Sequence, residues 1–339
     1  MQSSVRRILT LAACCGLVLM MSSAALAQFY THSNLVSNLT GKAKHLDTLL
    51  ANPWGLAYGP GAPFWISDEA SGWSTLYDGK GVPQSLQVVV PPATGTGKGT
   101  PTGIVFNGSS EFQIDTWPSA FLFATLDGTI SGWSHFFPSS ALIGVTHTGA
   151  VYTGLAITNK VSGNLLYAAD FANNKVDVYD ASFNLVNSFT DTKVPVGFST
   201  FGIQDIGGKV YVAYASTTGK SGGYIDIFTE AGVLVKHFAH GAPLREAWGM
   251  AVAPSNFGPL SGTLLVSNNT ATGTINGFNL TTGKFVDSIK NSGGVAIVIP
   301  GLWGIEFGGG TAANGNTNEL FYTAGPSDTN GYFGVIDSH

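Results

Sequence analysis

The folded part of this chain is predicted to contain no cysteine. The sequence has two, Cys14 and Cys15, and both fall in an N-terminal leader. Their position excludes disulfide staples, thiolate metal sites and cysteine nucleophiles from the folded body. Charge is scarce too: Lys, Arg, Asp and Glu make up 10% of the 339 residues, and no basic run occurs. With Arg6 and Arg7 set aside in the leader, 13 Lys and Arg face 20 Asp and Glu, a formal charge of −7. Nucleic acid needs a cationic footprint and an anionic membrane surface needs a polybasic patch, so the sequence argues against both as partners. There is no His-Glu-x-x-His pair and, after the leader, no apolar run of spanning length. Gly95–Thr100 has the composition of a phosphate loop but precedes no helix, and reads as a flexible loop.

The leader carries Arg6 and Arg7, then an apolar stretch from Ile8 that ends Ala25-Leu26-Ala27. This is the pattern of a secretory signal peptide over 1–27, which would leave Gln28 as the mature N-terminus and place the protein in the periplasm or outside the cell. Two other readings stay open, a retained anchor helix and a lipoprotein box at Leu11-Ala12-Ala13-Cys14.

What is abundant is glycine, 45 residues, together with Ser, Thr and Asn. The glycines are ordered. Trp54-Gly55-Leu56-Ala57 has counterparts beginning at Thr102, Thr153, Phe201, Trp248 and Trp303, and the glycines are spaced 48, 51, 48, 47 and 55 residues apart. A period near 50 is that of a propeller blade of four strands. Second strands follow at Phe64–Ser67, Phe121–Thr125, Leu165–Ala169, Val210–Tyr214, Leu264–Ser267 and Leu320–Thr323. Third strands come after turns rich in Gly, Asn or Asp, and fourth strands run from Ser85–Val90 in the first unit to Phe285–Ile289 in the fifth. The sixth unit has no fourth strand, whereas an orphan strand, Leu35–Leu39, precedes the first unit. The expected fold is therefore all-β: one six-bladed β-propeller over 28–339, closed by the N-terminal strand, with no exposed sheet edge. A monomer is expected.

"LLYAADFANNKVDVYD" (Leu165–Asp180) resembles an NHL-type propeller repeat. "NPWGLAYGPGAPFWISDEASGWSTLYDGKGVPQSL" (Asn52–Leu86) is similar to the opening of an uncharacterised family of exported bacterial six-bladed propellers. The resemblance implies the fold over the mature chain and no established activity. More distantly, lactonase-type six-bladed propellers are similar. They use a central calcium to polarise an ester carbonyl.

Candidate functional residues follow from the repeat. Trp54, Thr102, Thr153, Phe201, Trp248 and Trp303 either ring one mouth of the channel or pack between blades. Asp68, Asp170 and Asn268, at the ends of second strands, can supply oxygen ligands to a central Ca²⁺; equally, each can bond the backbone of its own turn. His45 and Asp47 precede the first unit and form a candidate general-base pair. His237 and His240 have no third ligand at metal-binding spacing and read as strand-edge residues. Trp73, Trp117 and Trp133 are candidate platforms for sugar rings. Two functions follow: a binding protein that presents one loop-rich face to a glycan, peptide or protein, or a calcium-dependent hydrolase or lactonase centred on the channel.

Overall fold

A computed structural model describes residues 28–339. Cys14, Cys15 and the leader lie outside the described residues. Six sheets follow one another round a ring, each with its first strand innermost. The first strands are Pro53–Ala57, Pro101–Phe106, Tyr152–Ile157, Phe198–Asp205, Ala247–Val252 and Leu302–Phe307. In blade 3, for example, Leu166–Asp170, Lys175–Tyr179 and Leu185–Phe189 complete the blade outward. Middle strands are covered on both faces by neighbouring blades, which is why Leu166–Asp170 is buried throughout, while the outermost strand Leu185–Phe189 is mostly exposed. The described residues contain one short 3-10 turn, Gly258–Leu260, and no helix long and apolar enough to cross a membrane.

The ring closes as the sequence predicts. The closing strand is Tyr30–Ser37 rather than Leu35–Leu39; it pairs antiparallel with Asn330–Ser338, from Tyr30 opposite Ser338 to Ser37 opposite Tyr332, with one register shift between Asn34 and Val36. It supplies the fourth strand of blade 6, so both ends of the described chain share one sheet. His45–Leu46 adds a fifth, parallel strand outside it.

Six apolar clusters fill the six gaps between adjacent blades, and a seventh, of Trp54, Trp248 and Trp303, sits at the centre. The repeated glycine makes this packing possible. A Cβ on Gly55 would stand 2.6 Å from the Thr102 carbonyl oxygen, and one on Gly249 would stand 2.7 Å from that of Trp303. The obstacle is the backbone of the next blade rather than a side chain that can turn away, so only Gly lets the inner strands meet.

Candidate functional site

One face of the ring gathers the starts of the first strands and the turns between second and third strands. Its axis is filled. Trp54 and Trp303 stack with ring centroids 3.6 Å apart, and Trp248 meets both edge-on, at 6.3 Å and 5.8 Å. Phe201 packs against the group. Trp248 Nε1 donates to the Thr153 carbonyl at 2.8 Å and Trp303 Nε1 to Asn52 Oδ1 at 3.2 Å. The two threonines of the series serve packing as well: Thr102 donates its hydroxyl to the Tyr152 carbonyl and Thr153 donates to that of Phe201, each one blade further on. The six residues thus act together as an axial plug and an inter-blade belt. A concavity of about 700 Å³ lies over the plug, lined by Asn52, Trp54, Glu69, Ser71, Lys98 and Asp328 among others. Burial raises the Glu69 carboxyl above its ordinary range, and Asp328 adds to the shift.

The three oxygen ligands expected for a central calcium are each held within their own blade. Asp68 is buried, and its Oδ2 accepts from the Thr75 amide at 3.1 Å and hydroxyl at 2.7 Å; burial pushes this carboxyl well above the usual range. Asp170 accepts from the Val151 amide at 3.1 Å and from Asn173 Nδ2 at 2.7 Å. Asn268 accepts from the Arg245 amide and donates to the Pro243 carbonyl. Oδ1 of Asp68 is buried without a partner, but the other ligand atoms are bonded to local backbone and side chains and tryptophan fills the axis, so the residues present do not fit a central calcium. His45 lies on the outermost strand of blade 6, far from the inner ring, and Asp47 accepts from Tyr77 at 3.0 Å and from the Leu49 amide at 2.9 Å rather than from His45.

The opposite end of the axis, where first strands finish, is open and polar. A cavity of about 180 Å³ is lined by Tyr58, Phe106, Asn159, Gln204, Asp205 and Glu306 together with aliphatic residues. Two further spaces share Gln204 and Glu306 with it, a small one running up the axis to Trp248 and another out toward Phe307. Burial pushes the Glu306 carboxyl up to about 7 and the Tyr58 hydroxyl up to about 12, the latter helped by the Glu306 charge. Asp205 Oδ2 is buried with no hydrogen-bond partner. A signal for this site exists in the repeat. The second position after each glycine reads Ala57, Val105, Ala156, Gln204, Ala251 and Glu306, so two blades alone place a polar side chain there.

Of the three expected aromatic platforms, one is open to solvent. Trp133 is buried between blades 1 and 2 and donates to the Pro138 carbonyl at 3.0 Å. Trp73 lies under the Lys98 ammonium, 4.7 Å from its ring centroid. Trp117 is 42% exposed and stacks on the exposed Phe136 with centroids 3.4 Å apart. It sits on a small hairpin between the first and second strands of blade 2, and Phe136 follows that blade's third strand. Both connections lie on the Glu306 side of the ring.

No family model matches the chain. It is 32% identical over 317 residues to the uncharacterised protein R648 of Acanthamoeba polyphaga mimivirus, covering 86% of this chain and 75% of that one. A second uncharacterised mimivirus protein is 29% identical, with coverage of 80% and 77%. The fold is similar to that of a gluconolactonase from Xanthomonas campestris, with a TM-score of 0.56, 13% identity and 86% and 88% of the two chains covered. It is also similar to an inactive virginiamycin B lyase from Staphylococcus aureus with quinupristin, with a TM-score of 0.55, 10% identity and coverage of 91% and 99%. At such identities these two structures speak for the fold alone.

Proposed function

The chain belongs to the family of the mimivirus protein R648, and from that premise and the geometry of its open mouth we propose that it is a carbohydrate-binding propeller. The terminal sugar of a glycan would enter beside Glu306. One observation carries the reading: Glu306, Gln204, Asn159, Asp205 and Tyr58 line a single cavity about the size of a monosaccharide, with the rings of Tyr58 and Phe106 among them. A sugar offers hydroxyls that donate and accept at once, and apolar faces that lie on rings; this wall matches both. The stacked Trp117–Phe136 pair on the same side gives a longer chain a second contact. A binding face was expected on the other side of the ring, and the filled axis there is the reason for moving it.

The leader supports a further part of the proposal, that the protein acts outside the cytoplasm after cleavage before Gln28. N-terminal sequencing of the exported protein checks this, with Gln28 as the expected first residue. For binding, the test is a glycan array followed by calorimetry on the best ligand. Glu306→Gln and Gln204→Ala should each weaken it about tenfold or more, a loss of about 1.4 kcal/mol. Binding untouched by both substitutions would move the site away from this mouth.

A second reading rests on a separate observation. A carboxyl poised near neutrality in a cavity suits general acid–base catalysis. Lactone or ester hydrolysis that persists in EDTA and disappears in Glu306→Gln would make the mouth catalytic. No turnover with either protein leaves binding as its role.

A further inference from the structure

A different group of residues, on the outer part of blade 4, points to a metal ion. Asp226 is on the third strand, Tyr224–Thr229, and His237 is on the fourth, Leu234–His240, directly across from it. Asp191 comes from the connection that follows the last strand of blade 3. One ligand atom from each of the three residues lies within 4.8 Å of the other two. His237 Nδ1 stands 3.1 Å from Asp191 Oδ2 and 3.1 Å from Asp226 Oδ1.

Comparison with blade 3 shows what is unusual here. Asp177 holds the place there that Asp226 holds in blade 4, opposite Ser188 where blade 4 has His237. Its carboxylate is fully served: Lys175 Nζ at 2.8 Å, Ser188 Oγ at 2.6 Å, Tyr152 OH at 2.9 Å and His147 Nδ1 at 2.9 Å. In blade 4 the lysine position is Tyr224, paired with Tyr214 where blade 3 pairs Lys175 with Asp170. The cation is gone and a second carboxylate, Asp191, has arrived. Asp191 and Asp226 are both more than nine-tenths buried; Oδ2 of Asp226 has no hydrogen-bond partner, and Oδ2 of Asp191 has the His237 imidazole at 3.1 Å but no aligned hydrogen bond. The backbone amide of Lys193 serves only the other oxygen of Asp191. The Tyr214 hydroxyl, next to the pair, is engaged by the Asp191 amide at 3.3 Å. Two buried carboxylates without a fixed cation are costly, and an orphaned acceptor adds to that cost.

We propose that Asp191, Asp226 and His237 bind one divalent transition-metal ion. The donor set decides the class. Hard Ca²⁺ takes six to eight oxygens, whereas two carboxylates with one imidazole suit zinc and its neighbours. His237 is 47% exposed, so the ion has a way in from solvent and keeps an open position there. This site is remote from the Glu306 mouth and independent of the carbohydrate reading.

The test uses the purified, EDTA-stripped protein, titrated with Zn²⁺ by calorimetry and with Co²⁺ by visible absorption. One equivalent of each should bind, Zn²⁺ should displace Co²⁺, and Zn²⁺ should raise the melting temperature. His237→Ala changes a half-exposed strand residue, and Asp226→Asn keeps the side-chain volume; far-UV circular dichroism checks the fold of both. Each should weaken Zn²⁺ binding at least tenfold and remove the thermal shift. Absence of saturable binding overturns the proposal, because the three side chains then share a proton instead. Stoichiometric binding unchanged in both folded variants overturns it too, by assigning the ion to other histidines.

Discussion

Glu306 carries a cost that a binding residue can justify. Its ordinary value is 4.5 and burial raises it to about 7 in the folded protein. The folded state therefore holds this proton more tightly than the unfolded one, so stability is complete below about pH 4.5 and falls as pH rises toward 7. Glu306→Gln removes the titration. The variant should melt close to the parent at pH 4.5 and a few degrees above it at pH 8, by differential scanning calorimetry. An equal difference at both pH values would show that the carboxyl is solvated in the channel. The same substitution is expected to harm binding, so stability and ligand affinity should move in opposite directions at this residue.

Among the elements, the closing strand has the largest task. It brings Tyr30, Leu35 and Val36 into the blade 5–6 and blade 6–1 interfaces, and Tyr30 accepts the Leu260 amide at 2.9 Å. Leu35→Ala should cost about 2–4 kcal/mol, read from urea midpoints at unchanged slope. Deleting 28–44 should do more, since it bares the edge of Asn330–Ser338 and invites strand addition; light scattering should then show aggregation on mild heating. A deletion that stays monomeric with the parent's midpoint would mean that the ring holds without closure. These elements were legible in the sequence because glycine is demanded by backbone approach at one fixed point in every blade. The limits were less so. The last strand of blade 1, expected over Ser85–Val90, is confined to Val88–Val89, where Pro83, Pro91 and Pro92 withhold donors on either side. The candidate site was harder still. Trp133 was expected to be exposed and is buried, because exposure depends on which blade face a residue meets. Glu306 and Gln204 meet only once the ring is closed, and Asp191 joins blade 4 from the end of blade 3.

For the whole molecule, the arrangement predicts one cooperative transition. Open arrays of repeats can unzip from an end, but here the end strands share a sheet and the central tryptophans come from blades 1, 5 and 6. Tryptophan fluorescence and far-UV circular dichroism should therefore follow coincident urea curves. Two separated transitions would show that some blades unfold on their own. The axial tryptophans have a second effect. They turn what would be a bore into two blind cups that share a floor. Nothing that enters beside Glu306 can leave beside Glu69, so the chemistry of either cup can be redrawn by mutation without rewriting the other.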